Sequence, residues 1–452
     1  MKVIYRLKQF VNNRSERSQV VIKNAFGAIL VKVFAMIVDF AKVPLLLSYL
    51  DSEKYGLYVT IASVVYWTHN FDFGLGTGLR YKLTLAVSLG EEKYGRQLVS
   101  TAYLSMSGIM MTVLAILIPV CLYLDWNTLL NTNAVDCQEL AFCVITVLVI
   151  FVFQFILELI TYVLQAFQRA ALSTFFKPLA NFFTLIVVVV LKLFTDNSLL
   201  YACMAMTIPI AVILLICNFY LYIKTYHRYS PSYKFYQKKC LSDIYSLGLK
   251  FFVGQLSTLV VFQTASFLIA HYVNPVEAAV YNSAFTYFGL ILIFNGMAQT
   301  PLCAAITDAY VKGDYIWLNK SMKKMKYLSL AFSVAAIAML AVSPIFFQIW
   351  LNGKLSIPFA LSCILVVYFI LNIWSNPYLN FISGMGKMQA TMYLSLIKIV
   401  VFFPVAISLV KMFGTIGLVV SIITVNTLPN LILGKYQTNL LLNKKESGVW
   451  SK

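Results

Sequence analysis

Ionisable side chains inside long apolar segments are where this sequence places its chemistry, because a charge in a bilayer core costs at least ~2.5–3.5 kcal/mol on insertion scales. The first apolar segment holds three of them, Lys32, Asp39 and Lys42. Lys32 and Asp39 are one heptad apart, about 20° from alignment on a helix, and Asp39 is one turn from Lys42 and can touch it. All three therefore lie toward one side, with Asp39 partly neutralised by Lys42 and Lys32 left as the more available cation near mid-membrane. The alternative is a structural ion pair beside a lysine that snorkels to the interface. The second segment ends in HNFDFGLGTGLRYKL, His69 to Leu83, which puts Asp72 and Arg80 in a cleft or at its mouth. Gly74, Gly76 and Gly78 follow no strand and precede no lysine at phosphate-loop spacing, so they read as sites of close helix approach or bending.

Deeper in the chain, Glu158 and Lys398 lie well inside apolar segments and call for a cleft or a buried pair, whereas Lys177 and Lys250 sit near segment ends where a lysine can snorkel. Asn372, Asn376 and Asn380 form a polar stripe at i, i+4, i+8, which either lines an aqueous path or joins helices by hydrogen bonds. The intramembrane charge is in cationic excess. Such a cavity attracts an anionic substrate such as a diphosphate, since positive groups in low dielectric focus the field, while an exporter of drug cations would be lined by carboxylates. The candidates for a substrate cavity are Lys32, Lys42, Arg80, Lys250 and Lys398, with the amides Asn372 and Asn376. This is binding chemistry: no nucleophile, metal cluster or acid–base constellation is present in the pattern, and no cofactor is expected. The eight cysteines show no metal-ligand spacing and read as small core residues; Cys137 and Cys143 lie near one membrane face, with no support from spacing for a disulfide.

The elements that must position these groups are twelve apolar segments, at 24–48, 56–79, 98–124, 140–167, 172–194, 199–223, 249–272, 279–303, 327–350, 358–383, 391–412 and 414–434. Each is near the ~20 residues that cross a bilayer as a helix. A chain that is 60% hydrophobic and 12% charged is no soluble domain. Lysine and arginine crowd alternate connections; the other set holds only Lys54, Lys192, Lys354 and Lys411. The positive-inside rule makes the crowded side cytoplasmic and returns both termini to it. That placement also accounts for the net charge of +18 through insertion and anionic lipid, leaving no role for nucleic acid. Residues 1–23 read as a basic amphipathic leader lying at the interface or as a disordered one.

A basic connector, 225–247, divides the chain into an N-lobe at 24–224 and a C-lobe at 248–440, with a tail at 441–452. Six segments per half give the halves one orientation, as in parallel repeats. Sliding the first half by 223 positions places Tyr58 on Tyr281, Phe71 on Phe294, Thr77 on Thr300, Thr84 on Thr307 and Gly90 on Gly313 without a gap. The expected architecture is all-α, with about twelve transmembrane helices in two six-helix lobes and a cleft between them.

From Asn24 to Ser100, and most sharply from Asp72 to Arg80, the chain resembles the bacterial polysaccharide repeat-unit flippases, the O-antigen (Wzx-type) transporters of the multidrug/oligosaccharidyl-lipid/polysaccharide exporter superfamily. The resemblance implies a V-shaped, alternating-access flippase of the bacterial inner membrane that carries an undecaprenyl-diphosphate-linked oligosaccharide to the periplasmic leaflet, its lipid tail staying in the bilayer. It also implies coupling to an ion gradient of H+ or Na+, with Asp39, Asp72 or Glu158 as the coupling carboxylate, and contact with the pathway's polymerase. The chain departs from the fourteen-span, arginine-rich relatives that carry peptidoglycan precursor. Competing readings are an ion-coupled exporter of drugs or cations on the same fold, and a membrane polymerase or glycosyltransferase. The second lacks the sizeable extramembrane loop that such enzymes need.

Overall fold

In hydrocarbon a backbone must satisfy its own polar groups, which for a single segment means a helix. The computed structural model is accordingly all-helical among the residues it describes, 16–68, 74–167, 169–444 and 448–451; side chains of 16–29, 64–68, 170–171, 246–260, 300–305, 307–308, 311 and 451 lie outside the description. The helices are α1 (Glu16–Tyr49), α2 (Ser52–Thr68), α3 (Leu75–Ser88), α4 (Glu92–Tyr123), a short α5 (Trp126–Leu130), α6 (Cys137–Ala166), α7 (Ala170–Phe194) and α8 (Leu199–Tyr220). The second half holds α9 (Lys238–Tyr272), α10 (Pro275–Val311), α11 (Tyr315–Trp350), α12 (Phe359–Gly384), α13 (Gln389–Ile422) and α14 (Leu428–Leu442).

Among the described residues, eight helical stretches are long and apolar enough to cross a bilayer. The first, second and seventh predicted segments are outside that set: α1 carries three charges in its apolar run, and α2 and α9 are described only in part. The last stretch, Gln389–Leu442, is 54 residues long, about 80 Å if it were one straight helix. It is a hairpin instead. Gly414 has φ 58° and ψ −140°, a conformation that only glycine adopts at ease, and beyond it the chain folds back so far that a Cβ on Gly417 would stand 1.9 Å from the Leu409 carbonyl oxygen. Predicted segments eleven and twelve are the two arms of this hairpin.

The two halves keep the register read from the sequence. α2 and α10 begin at Ser52 and Pro275, and α4 and α11 at Glu92 and Tyr315, each pair 223 positions apart. The intervening turns match as well: Gly90 and Gly313 have φ 74° and 70°, Glu91 N–H donates to the Ala86 carbonyl, and Asp314 N–H to that of Ala309, both at 2.9 Å.

The halves are joined at the lysine-poor end. Pro44 lies within α1 and supplies no N–H to the carbonyl one turn before it; the Trp350 indole of α11 donates to that Phe40 carbonyl at 3.2 Å and stacks on the Phe40 ring at 4.2 Å. Lys354 Nζ donates to the Leu47 carbonyl at 2.6 Å, one of the acceptors left over at the C-terminus of α1, and Ser52 donates to the Lys354 carbonyl at 2.9 Å. Asn131 reaches the Val273 carbonyl at 2.7 Å. One continuous core runs through both halves here. At the basic end the second half has a separate small core of its own, built on Ile306, Leu318, Met322, Met325 and Phe381. The first turns of α9 bridge to the first half there, with the Tyr94 hydroxyl donating to Asp243 at 3.1 Å. The connector before α9 lies along α4, its Ser230 carbonyl accepting from Arg96 Nε at 3.1 Å and its Ser232 N–H donating to Ser100 Oγ at 3.1 Å.

Cys137 and Cys143 lie on one helix, and both are free thiols.

Candidate functional site

A cavity of about 880 Å³ lies between the halves, near the upper limit for small-molecule sites. Among the described residues, its charged lining residues all come from the first half: Lys32, Asp39 and Lys42 on α1, Glu158 on α6 and Lys177 on α7. Three ammonium groups thus face two carboxylates on one wall.

Helical spacing brings Asp39 and Lys42 together, with Lys42 Nζ on Asp39 Oδ1 at 3.3 Å. The same carboxylate oxygen accepts from Asn181 Nδ2 of α7 at 2.8 Å. The pair is only partly shielded, its side chains 22% and 48% exposed for Lys42 and Asp39. Lys32 is exposed on the cavity wall, and no described residue makes a salt bridge to it.

Among the described residues, the facing wall is uncharged. On α10 a stripe of Asn282, Thr286, Gly289, Ile293 and Gly296 lines the cavity at alternating three- and four-residue steps, the spacing of one helix face. Nothing lies within 4 Å of a Cβ built on either glycine, so the missing side chains leave open space. Asn282 Nδ2 donates to Ser266 Oγ of α9 at 2.8 Å. Phe262, Tyr281, Phe285 and Phe369 supply aromatic rings, with Phe285 and Phe369 centroids 5.2 Å apart. The chemistry of the two walls suits a molecule with an anionic part and a neutral polar part, the first on the lysine wall and the second against rings and amides.

The other predicted residues go elsewhere. Lys398 does not line this cavity. It is 3% exposed, and its ammonium donates to Asn426 Oδ1 at 3.0 Å and to Asn430 Oδ1 across the α13–α14 hairpin, so two amide dipoles hold the buried charge. Arg80 lines a separate opening and donates to Gln165 Oε1 at 3.1 Å. Of the asparagine stripe, Asn380 joins helices, donating to Gln299 Oε1 of α10 at 2.8 Å; Asn372 donates to the Tyr368 hydroxyl one turn earlier on its own helix at 3.2 Å, and Asn376 stands half-buried between them outside the cavity wall. Lys177, read as a snorkelling lysine, lines the cavity, because α7 packs along α1 and turns that face inward. Asp72, His69 and the Lys250 side chain lie outside the described residues. Sequence reasoning missed Asn181 and Gln154; Asn181 stands one helical turn after Lys177, and that spacing was the available signal.

The profile of the family described as "Polysaccharide biosynthesis protein" matches residues 21–307. A protein of Yersinia pseudotuberculosis named "Putative O-antigen export protein" is 22% identical over 385 residues, covering 82% of this chain and 84% of that protein. The inward-facing conformation of a multidrug resistance MATE family transporter of the MOP superfamily superimposes with a TM-score of 0.75 at 14% identity, covering 94% of this chain and 100% of that one. A MOP superfamily transporter from Pyrococcus furiosus Vc1, described by the reverse polarity of its binding pocket, gives 0.61 at 14% identity, covering 95% and 97%. The chain shares the fold of these MATE and MOP structures, and it belongs to the polysaccharide biosynthesis protein family.

Proposed function

We propose that this protein is a flippase that moves an undecaprenyl-diphosphate-linked oligosaccharide from the cytoplasmic to the periplasmic leaflet of a bacterial inner membrane by alternating access. In this reading the chain crosses twelve times with both termini in the cytoplasm, and the lysine-poor end, where the halves are hydrogen-bonded together, is the closed periplasmic side. The observation that carries it is the division of the cavity: Lys32, Lys42 and Lys177 on one wall suit a diphosphate, and the facing wall, whose described residues are uncharged rings and amides, suits a glycan. Asp39 and Glu158, with Asp72, are the candidates for coupling to an H+ or Na+ gradient. Asp39 is the strongest of them, because its carboxylate links Lys42 of its own helix to Asn181 of the next, so that protonation there loosens a contact between helices.

The test is reconstitution into liposomes with a lipid-linked glycan, read by the fraction of glycan that becomes accessible to an enzyme added outside. Wild type is expected to move it. Lys32→Ala, Lys42→Ala and Lys177→Ala are each expected to slow the initial rate about tenfold or more, the scale of one lost charge-assisted contact, at unchanged protein level. Absence of glycan movement in the wild type, together with export of a cationic dye, would replace this reading with that of a drug exporter.

A further inference from the structure

A second opening, of about 500 Å³, lies at the basic end of the first half, outside the central cavity, where α3, the end of α6 and the start of α7 meet. One part of its wall is polar: the Arg80 guanidinium, with Ser173 and Thr174 beside it. Arg80 Nη1 is held by Gln165 at 3.1 Å, and no carboxylate among the described residues pairs with it. A guanidinium has five N–H donors in a planar fork that matches phosphate oxygens, so one bond to a neutral amide orients Arg80 without satisfying it. The other part is apolar and outward-facing: Tyr81 and Leu85 line the same opening and are 50% and 45% exposed.

A cation beside exposed apolar side chains at a membrane face fits an amphipathic ligand better than a free anion, since a soluble phosphate leaves the apolar part unused. One face of α7 relates this opening to the central cavity. Along α7, Thr174 on its wall is followed one turn later by Lys177 and one more turn by Asn181, both of which line the central cavity; the steps of three and four residues keep them on one helix face. The polar face of α7 thus runs from Arg80 to the Asp39–Lys42 pair, which Asn181 contacts at 2.8 Å.

We propose that this opening is a loading site for the phosphorylated headgroup of the lipid-linked substrate, occupied before the headgroup passes along α7 into the central cavity while its chain stays against Tyr81 and Leu85. The proposal rests on the flippase reading and adds a second, earlier binding step to it.

The test uses the full-length protein in nanodiscs of zwitterionic lipid and, as probe, a polyprenyl diphosphate without sugar, its binding followed by native mass spectrometry. In a Lys32→Ala/Lys42→Ala background, where the central site is weakened, Arg80→Gln is expected to lower probe affinity about tenfold, the loss of one guanidinium–phosphate contact, and Arg80→Lys to lower it less. Arg80 is exposed while Leu79 and Leu83 carry the packing of α3, so the substitution leaves the helix in place. Unchanged affinity in Arg80→Gln overturns the loading site; so does displacement of the probe by an equal mole fraction of phosphatidylglycerol, which makes the opening a site for ordinary anionic lipid. Transport of the complete substrate separates the two levels. If the wild type moves no glycan, the flippase reading fails; if it moves glycan and Arg80→Gln has an unchanged half-saturating concentration, only the loading site fails.

Discussion

Gly56 sits where the two halves press together at the lysine-poor end. A Cβ built on it stands 1.8 Å from the Pro275 carbonyl oxygen and 2.3 Å from its carbon. An ordinary carbon–oxygen contact is about 3.3 Å, so Gly56→Ala forces α2 and the start of α10 apart by about 1.5 Å. Backbone lies on both sides of the contact, and no rotamer change relieves it. Overpacking of this kind costs about 1–3 kcal/mol, all of it borne by the arrangement in which this end is closed, with the nearby Lys354–Leu47 and Asn131–Val273 bonds at 2.6 and 2.7 Å strained as well. A conformer in which these ends separate escapes the cost, so its population relative to the closed one rises about five- to a hundred-and-fortyfold, at 1.4 kcal/mol per factor of ten. The assay is pulsed electron resonance between spin labels at Asn133 and Ser356, exposed residues on opposite halves at this end. Gly56→Ala is expected to add a longer-distance population; Gly108→Ala, where nothing lies within 4 Å of the new Cβ, is expected to leave the distribution as in wild type. An unchanged distance distribution and unchanged Tm in Gly56→Ala would refute the argument that this contact holds the end shut.

Asp39→Asn removes the carboxylate that occupies Lys42 and is expected to tighten binding of a polyprenyl diphosphate severalfold while abolishing the response of transport to an imposed ion gradient; both are read in proteoliposomes. Lys398→Met takes the charged donor from the half-buried side-chain oxygens of Asn426 and Asn430, and a drop in stability of about 1–3 kcal/mol is expected in a thermal unfolding scan with no change in diphosphate affinity. Asp125 caps α5, accepting from the Thr128 hydroxyl and from the Thr128 and Asn127 N–H groups, and these bonds hold its carboxyl below the usual carboxylate range. A depressed folded pKa contributes stability above the ordinary value and loses it as pH falls through the folded one, so amide protection across Trp126–Leu130, taken relative to the intrinsic exchange rate at each pH, is expected to fall below about pH 4 and to stay constant between pH 5 and 8.

Reading along the chain was sufficient wherever a local rule decided the outcome. The Asp39–Lys42 pair follows from three-residue spacing on a helix. The helical segments follow from runs that have no other way to satisfy a backbone in hydrocarbon. The repeat follows from an ungapped register that the helix starts at Ser52 and Pro275 preserve, because a turn and the helix behind it are specified by neighbours a few residues away.

What the sequence determined by itself, then, is an all-helical membrane chain built of two related halves with a cationic excess in its interior. The tertiary structure decided where those cations point. Lys398 reads as deep in its segment and Lys177 as near a segment end where a lysine can snorkel, yet it is Lys177 that lines the cavity while Lys398 is sealed within the α13–α14 hairpin by two asparagines. Arg80, one helix face away from the cleft, has an opening of its own. In a soluble protein the apolar stripe of a helix marks its buried face. In a bilayer, lipid and protein interior are equally apolar, so periodicity separates the faces of a helix without saying which meets lipid, a neighbouring helix or a cavity, and only the packing of the halves resolves that.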